Sequence, residues 1–286
     1  MVSCENSFLH VSKRNVKFNA RIKIYPDGSK EILCADSAIF SADGWEEAGR
    51  EREPGEPQRL VRERQSFSDP ANVARAQRRA AARVRDIALC NRFSHFVTLT
   101  LSAETVDRYD IKDAMRKMRV WLDNRVRRNG LKYVLVPEHH KDGAIHFHGF
   151  VNDVLPLADS GTISVPGQKK PRRPLSARQR DDWLAAGGKV VYNISDWALG
   201  FSTAIELYGE YEAAISYCCK YIGKEARDDG AAAKIGGRWY YSGGRLDAPK
   251  LDFAMLDFRS LEAAGAYRFD IEAAGLSFCL LRTKGE

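Results

Sequence analysis

Between residues 15 and 35, apolar and polar positions alternate around Asp27-Gly28, the pattern of a β-hairpin. Residues 41–69 lose that order; rich in Glu, Arg, Gly and Pro, with Glu-Pro-Gly-Glu-Pro at 53–57, they read as a linker or loose loop. Ser68 or Asp69 can cap a helix that starts near Pro70 and runs through Ala-rich sequence to about Asn91. Residues 93–102 are β-branched and aromatic, which predicts a strand. Over 108–129 the spacing of Ile111, Ala114, Met115, Met118, Trp121, Leu122 and Val126 is helical, and Gly130 ends the helix. Two strands follow, at 131–138 and 144–151, around a turn at Lys141-Asp142-Gly143. Residues 153–195 are basic, irregular and broken by Pro and Gly, and read as an insertion. A fourth strand is predicted at 200–207 and a helix at 209–226, stopped near Asp228-Asp229-Gly230. Aromatics between Gly236-Gly237 and Gly243-Gly244 predict a short hairpin at 233–247, and 276–282 a last strand.

Mixed strand and helix order with hairpins defines an α+β class, an antiparallel sheet with helices packed on one face. Three parts are expected: 1–69, an extension with a hairpin and linker; 70–249, the main domain with a basic insertion at 153–195; and 250–286, a segment that could complete the sheet. At 286 residues and 44% hydrophobic, the chain can build one large domain, or one with a smaller appendage. A mean hydropathy of -0.42 and the lack of any apolar run of about 18 residues exclude a transmembrane helix. The first eight residues, Met1 to Phe8, lack the basic-then-apolar order of a secretory signal, so a cytoplasmic location is expected. The six cysteines form no CxxC pair, and a disulfide framework is not expected.

Charge narrows the choice of partner. The net charge is +7, and it is clustered. Arg75, Arg78, Arg79, Arg83, Arg85 and Arg92 face one acid, Asp86, over the first helix. Lys169, Lys170, Arg172 and Arg173 crowd the insertion, and Lys112, Arg116, Lys117, Arg119, Arg125, Arg127 and Arg128 the second helix. Runs this one-sided fit phosphate binding, the alternative being a plain solvated face.

The chemistry concentrates in residues 133–151, YVLVPEHHKDGAIHFHGFV. His146 and His148, one residue apart in a strand, point the same way. If the hairpin centres on Asp142, Glu138 lies opposite His146, and opposed residues share a face. Two imidazoles and a carboxylate then converge, the pattern of a catalytic metal site with open positions. A carboxylate and room for phosphate oxygens suit Mg2+ or Mn2+, whereas imidazoles alone would prefer Zn2+ or softer metals. His140, on the Glu138 face, could replace or assist it; His139 points away. The alternative is two partly buried histidines in an edge strand.

A second signal is YCCKYIGK, residues 217–224. Tyr217 and Tyr221 are i and i+4, and Lys220 and Lys224 each follow a tyrosine by three, so all four can share adjoining parts of one helix surface. Tyrosine is a known type of covalent nucleophile. At an ordinary pKa of about 10, only roughly 0.1% is phenolate at pH 7, and a nearby ammonium or metal would raise that fraction. Taken alone, packed tyrosines and solvated lysines explain the helix as well. A third signal, Phe96-Val97-Thr98-Leu99-Thr100, puts Thr98 and Thr100 on one face of a strand. Trp183, Trp197, Trp239, Tyr240 and Tyr241 could stack on unpaired bases or simply pack in a core.

Together and in this order, these three stretches resemble the HUH endonucleases. FVTLT is similar to the first motif of that superfamily, His146-Phe147-His148 to its His-hydrophobe-His triplet, and Tyr217, Lys220 and Tyr221 to its YxxK motif with a second tyrosine. The two-tyrosine form resembles rolling-circle initiators of small single-stranded DNA phages, and the surrounding text resembles replication-associated proteins grouped with the filamentous-phage gene II protein. The resemblance spans about residues 70–245. It implies an RRM-like or palm-like antiparallel sheet (the HUH endonuclease fold) with the histidines central and the tyrosine helix beside them. It also implies His146, His148 and Glu138 as metal ligands, Tyr217 as first nucleophile, Tyr221 as second, and Lys220 as a phosphate or charge contact.

The implied reaction is nicking and rejoining of single-stranded origin DNA through a 5′-phosphotyrosine, to start and end rolling-circle replication. The implied partners are an origin hairpin, a host DNA polymerase and a host helicase, since no GxxxxGK[ST] loop is present. Lys224, Arg75, Arg78, Arg79, Lys169, Lys170, Arg172 and Arg173 are the candidate DNA contacts, and a membrane is not expected. Two rivals stand beside this reading: a two-tyrosine HUH transposase, and a non-catalytic single-stranded nucleic-acid-binding module.

Overall fold

The structure, a computed structural model, describes residues 17–41, 70–107, 109–139, 144–207, 211–224, 234–271 and 275–285. The chain clusters into two units, Arg62–Ala248 and Met1–Val61 with Pro249–Glu286.

The smaller unit opens with β1 (Lys17–Phe18), β2 (Ala20–Ile24), β3 (Lys30–Ala35) and β4 (Phe40–Ser41). β2 and β3 form the expected hairpin, with Ile22 opposite Ile32. Its turn needs a left-handed residue, which Gly28 supplies at φ 81°, and the Asp27 carboxylate accepts from Ser29 N–H at 3.0 Å. The expected linker, 41–69, lies outside the described residues except for Ser41 in β4, as do the caps Ser68 and Asp69.

The larger unit holds α1 (Pro70–Asn91), β5 (His95–Leu101), α2 (Ile111–Asn129), β6 (Tyr133–His139), β7 (Ile145–Val151), β8 (Leu157–Ser164), α3 (Ala177–Ala185), β9 (Lys189–Ile194), β10 (Gly200–Glu206), α4 (Tyr211–Lys224) and β11 (Tyr241–Gly243). The seven strands form one antiparallel sheet in the order β11-β6-β7-β5-β10-β9-β8. α2 behaves as its sequence predicts. Asp110 caps its start by accepting from Lys112 N–H, and Gly130 at φ 72° closes its end.

The expectation of helices on one face is corrected. α2 brings Ala114, Met115, Met118 and Leu122 against Val97, Leu99, Leu135 and Phe147 on one side of the sheet. α1 and α4 bring Val84, Ile87, Ala88, Ile215, Cys218 and Ile222 against Val134, Val136 and Phe150 on the other. The physical reason lies in β6, where Tyr133 to Glu138 are all buried. A strand that apolar on both sides must be covered on both.

Three further expectations change. Residues 153–195 are not an irregular insertion: β8, α3 and β9 extend the sheet beyond β10, and the basic loop is tied back by a reciprocal Ile163–Arg172 bridge. The hairpin expected at 233–247 is not formed among the described residues; Tyr241–Gly243 instead pairs with β6, after a 3₁₀ turn at Ile235–Gly237. The C-terminal segment joins a different sheet. β12 (Lys250–Ala254), α5 (Phe258–Ala263), β13 (Tyr267–Ile271) and β14 (Leu276–Thr283) follow Ala248, and the sheet order β12-β2-β3-β14-β13 places the N-terminal hairpin at its centre.

Candidate active site

The site is built on three adjacent strands of the larger sheet, β6, β7 and β5. β7 lies between β5 and β6 with His148 opposite Thr98 and Val136, and His146 opposite Thr100 and Glu138. The pairing of Glu138 with His146 is the one a hairpin centred on residue 142 requires; the turn itself and His140 lie outside the described residues. Strand pleat then puts Glu138, His146, His148, Thr98 and Thr100 on one face.

Each imidazole is held by a threonine. His148 Nδ1 is 3.1 Å from Thr98 Oγ1, and His146 Nδ1 is 3.2 Å from Thr100 Oγ1. Such partners set the ring orientation and leave Nε2 to face the site. His148 Nε2 lies 3.0 Å from Glu138 Oε2, and Glu138 is 8% exposed. The two rings are near-parallel with centroids 6.5 Å apart. The sequence placed Thr98 and Thr100 on one face without giving either a partner. Their shared face was visible, but a polar stripe on a strand has no partner until the register is known.

α4 reaches the same face. Ile215, Cys218 and Ile222 repeat at helical spacing and are buried against the sheet. The Cys218 thiol approaches the His148 carbonyl at 3.8 Å, and burial pushes that thiol far up from its ordinary pKa. Tyr211 fastens the start of the helix: its hydroxyl donates to Ala88 O at 2.8 Å and accepts from Phe93 N–H at 3.0 Å. With the helix so placed, Tyr221 stacks on His148, centroids 4.3 Å apart and planes 11° apart. Its hydroxyl donates a short hydrogen bond to that of Tyr217. Tyr217 is 49% exposed and sits edge-on to Phe96 at 5.8 Å. Burial, the Tyr217 hydroxyl and the Glu138 carboxylate push the Tyr221 phenol well above its ordinary range, which keeps it a neutral donor.

The structure thus brings Tyr217, Tyr221, His148 and Glu138 into one chain of contacts, with His146 beside it. Lys220 is exposed on the same helix, while the side chain of Lys224 lies outside the described residues. Among the described residues no three His, Cys, Asp or Glu side chains are gathered as a metal cage. Glu138, His146 and His148 nevertheless share one face, and imidazole and carboxylate are donor types that divalent cations take.

The candidate DNA contacts lie elsewhere in this unit. Arg75, Arg78 and Arg79 are exposed on α1. That helix packs on α4 through Gln77 Nε2 to Ile222 O at 3.1 Å and Cys219 Sγ to Ala81 O at 3.6 Å. Lys169, Lys170, Arg172 and Arg173 are exposed in the loop after β8, where Arg173 reaches Ser160 O at 3.4 Å. Trp197 and Tyr241 are not free to stack on bases. Each is 5% exposed, Trp197 against Trp121 and Tyr241 against Phe147.

Residues 94–226 match the family model of the replication-associated protein ORF2/gene II protein. That span runs from the strand with the paired threonines through the histidines to the tyrosine helix. No curated protein and no solved structure matches the chain. Among the described residues no helix is long and apolar enough to cross a membrane.

Proposed function

We propose that this chain is a replication initiator that nicks and rejoins single-stranded origin DNA through a 5′-phosphotyrosine. One observation carries the reading: two tyrosine hydroxyls, hydrogen-bonded to each other, stand on one helix, and the Tyr221 ring stacks on a histidine paired with Glu138. The replication-associated family match over the same residues supports it.

In this reading Tyr217, the more exposed phenol, attacks the scissile phosphorus. The Tyr217 Oη–P bond forms, the P–O3′ bond breaks, the phenolic proton passes to solvent water, and O3′ leaves and takes up a proton from solvent as a free 3′-OH. Tyr221, a neutral donor aimed at the Tyr217 oxygen, stabilises charge there as it develops. His146, His148 and Glu138 would hold Mg2+ or Mn2+, which supplies Lewis-acid polarisation of the phosphate. Thr98 and Thr100 keep both rings turned for that task. Lys220, exposed beside the tyrosines, meets phosphate. Because the new bond is itself a phosphodiester, rejoining needs no ATP. Tyr221 attacks the regenerated junction in its turn, and the freed 3′-OH attacks the first phosphotyrosine to close a circle. A host polymerase extends the 3′-OH, and a host helicase opens the duplex ahead of it.

The test uses circular single-stranded DNA carrying the replicon's intergenic hairpin, with Mn2+, on a denaturing gel. The expected product is an SDS-resistant, protease-sensitive adduct that Tyr217→Phe and EDTA each abolish. Retarded DNA with no adduct on the correct origin would instead favour a binding module.

A further inference from the structure

The segment after the tyrosine helix lies beyond the family match, which ends at residue 226, yet it returns to β6, the strand that carries Glu138. β11 pairs with β6 so that Ser242 faces Val134, on the side that carries Val136 and Glu138. Just before it, Trp239 and Tyr240 pack at the border of the apolar cluster that also holds Tyr221. Here Lys234, Gly237, Arg238, Trp239, Tyr240 and Ser242 line a hollow of about 270 Å³. That is just under the roughly 300 Å³ at which pockets for drug-sized ligands begin, a space for one ring system.

Three independent features define what would enter. Two aromatic side chains, both only partly buried, offer ring faces. The Trp239 indole Nε1, itself buried, has no hydrogen-bond partner among the described residues, a cost the fold carries unless an acceptor arrives. Two cations border the rings: Lys234, with Nζ 6.0 Å from the Trp239 centroid, and the exposed Arg238. A ring face, a donor and flanking positive charge are the complement of a nucleobase on its phosphodiester strand.

We infer that this hollow is a base-binding subsite, which takes one unpaired nucleobase of the DNA strand that enters beside Glu138. The base stacks on Trp239 or Tyr240 and accepts from the indole N–H, and Arg238 meets the adjoining phosphate. The inference rests on the proposed single-stranded DNA substrate, and it gives that strand a fixed register on the sheet.

The test separates bases from backbone. Full-length protein carrying Tyr217→Phe, in EDTA, is titrated with two labelled single strands of about ten nucleotides, within the span of a single-strand groove. One has a mixed base sequence and the other is abasic throughout, with the same charge. Tyr240→Ala should weaken binding of the base-bearing strand about 5- to 100-fold and leave the abasic strand unchanged. Trp239→Phe keeps the ring packed but removes the donor, and should weaken only the base-bearing strand, by several-fold. Arg238→Gln should weaken both strands alike. Equal weakening on both strands for Trp239→Phe and Tyr240→Ala, or none on either, would overturn the subsite. Neither outcome depends on the nicking reading, which stands or falls on the covalent adduct formed by the protein with Tyr217 intact.

Discussion

At the residue scale, the threonines of β5 decide how the histidines are presented. A ring with no partner at Nδ1 can rotate and can carry its proton on either nitrogen. Thr98→Val and Thr100→Val keep the side-chain shape and remove the hydroxyls 3.1 and 3.2 Å from those nitrogens. Loss of such an outer partner typically costs about 10- to 100-fold in metal affinity, and each variant should show that loss in a Mn2+ titration with its fold unchanged. Unchanged Mn2+ affinity in both would remove the threonines from the site. How much of this was legible in the sequence differs by residue. Glu138 opposite His146 follows from counting across one turn, because register in a tight hairpin is arithmetic. The hold of Thr98 on His148 was not legible, since β5 and β7 are joined through α2 and β6 and no local turn fixes their register. The stack of Tyr221 on His148 depends in the same way on where α4 docks.

At the element scale, the β6–β7 pair is what holds Glu138 against the histidines, and Gly149 lets the strands close. A Cβ at Gly149 would overlap the Val134 carbonyl of β6. Gly149→Ala should therefore push the strands apart and destabilise the protein by about 1–3 kcal/mol, as overpacking does, which a urea melt would measure. The second sheet carries its own electrostatic element. Glu31 is partly buried, which alone would raise its pKa, but Lys23 at 3.0 Å and Arg282 at 2.9 Å outweigh that burial and lower it. A carboxylate lowered in the folded state adds stability above its unfolded pKa of about 4.3, and that stability is lost as pH falls through the folded value. Glu31→Gln should thus lower the denaturation midpoint at neutral pH and flatten its fall below about pH 4. An acid profile as steep as that of the wild type would refute this. Elements with a strong local signal, such as α2 with its helical apolar spacing and Gly130 at its end, were legible in the sequence. The β8–α3–β9 edge was not, because exposed edge strands carry polar residues and Pro and so look like loop.

At the scale of the whole molecule, the sequence showed where the charge lies along the chain but not how the sheets divide it. The two ends of the chain build one sheet around β2 and β3, a pairing of β3 with β14 that spans most of the sequence and that no local pattern announces. The remaining unit holds the site together with the exposed basic clusters on α1, on α2 and in the loop after β8. If these clusters meet the DNA backbone, each neutralised phosphate releases a counterion, and the slope of log affinity against log salt falls by about 0.7 for every single-strand phosphate that a variant no longer neutralises. Arg75→Gln with Arg78→Gln and Arg79→Gln, and separately Lys169→Gln with Lys170→Gln, should each flatten that slope and weaken all single strands alike. Both sets are exposed, so the fold should survive them, and circular dichroism would check that it does. A set that leaves the slope unchanged is a solvated face, and the DNA path then runs past the other clusters. If both leave it unchanged, neither of these two clusters has a part in substrate binding, and recognition falls to the tyrosine helix, the β11 edge and the cations of α2.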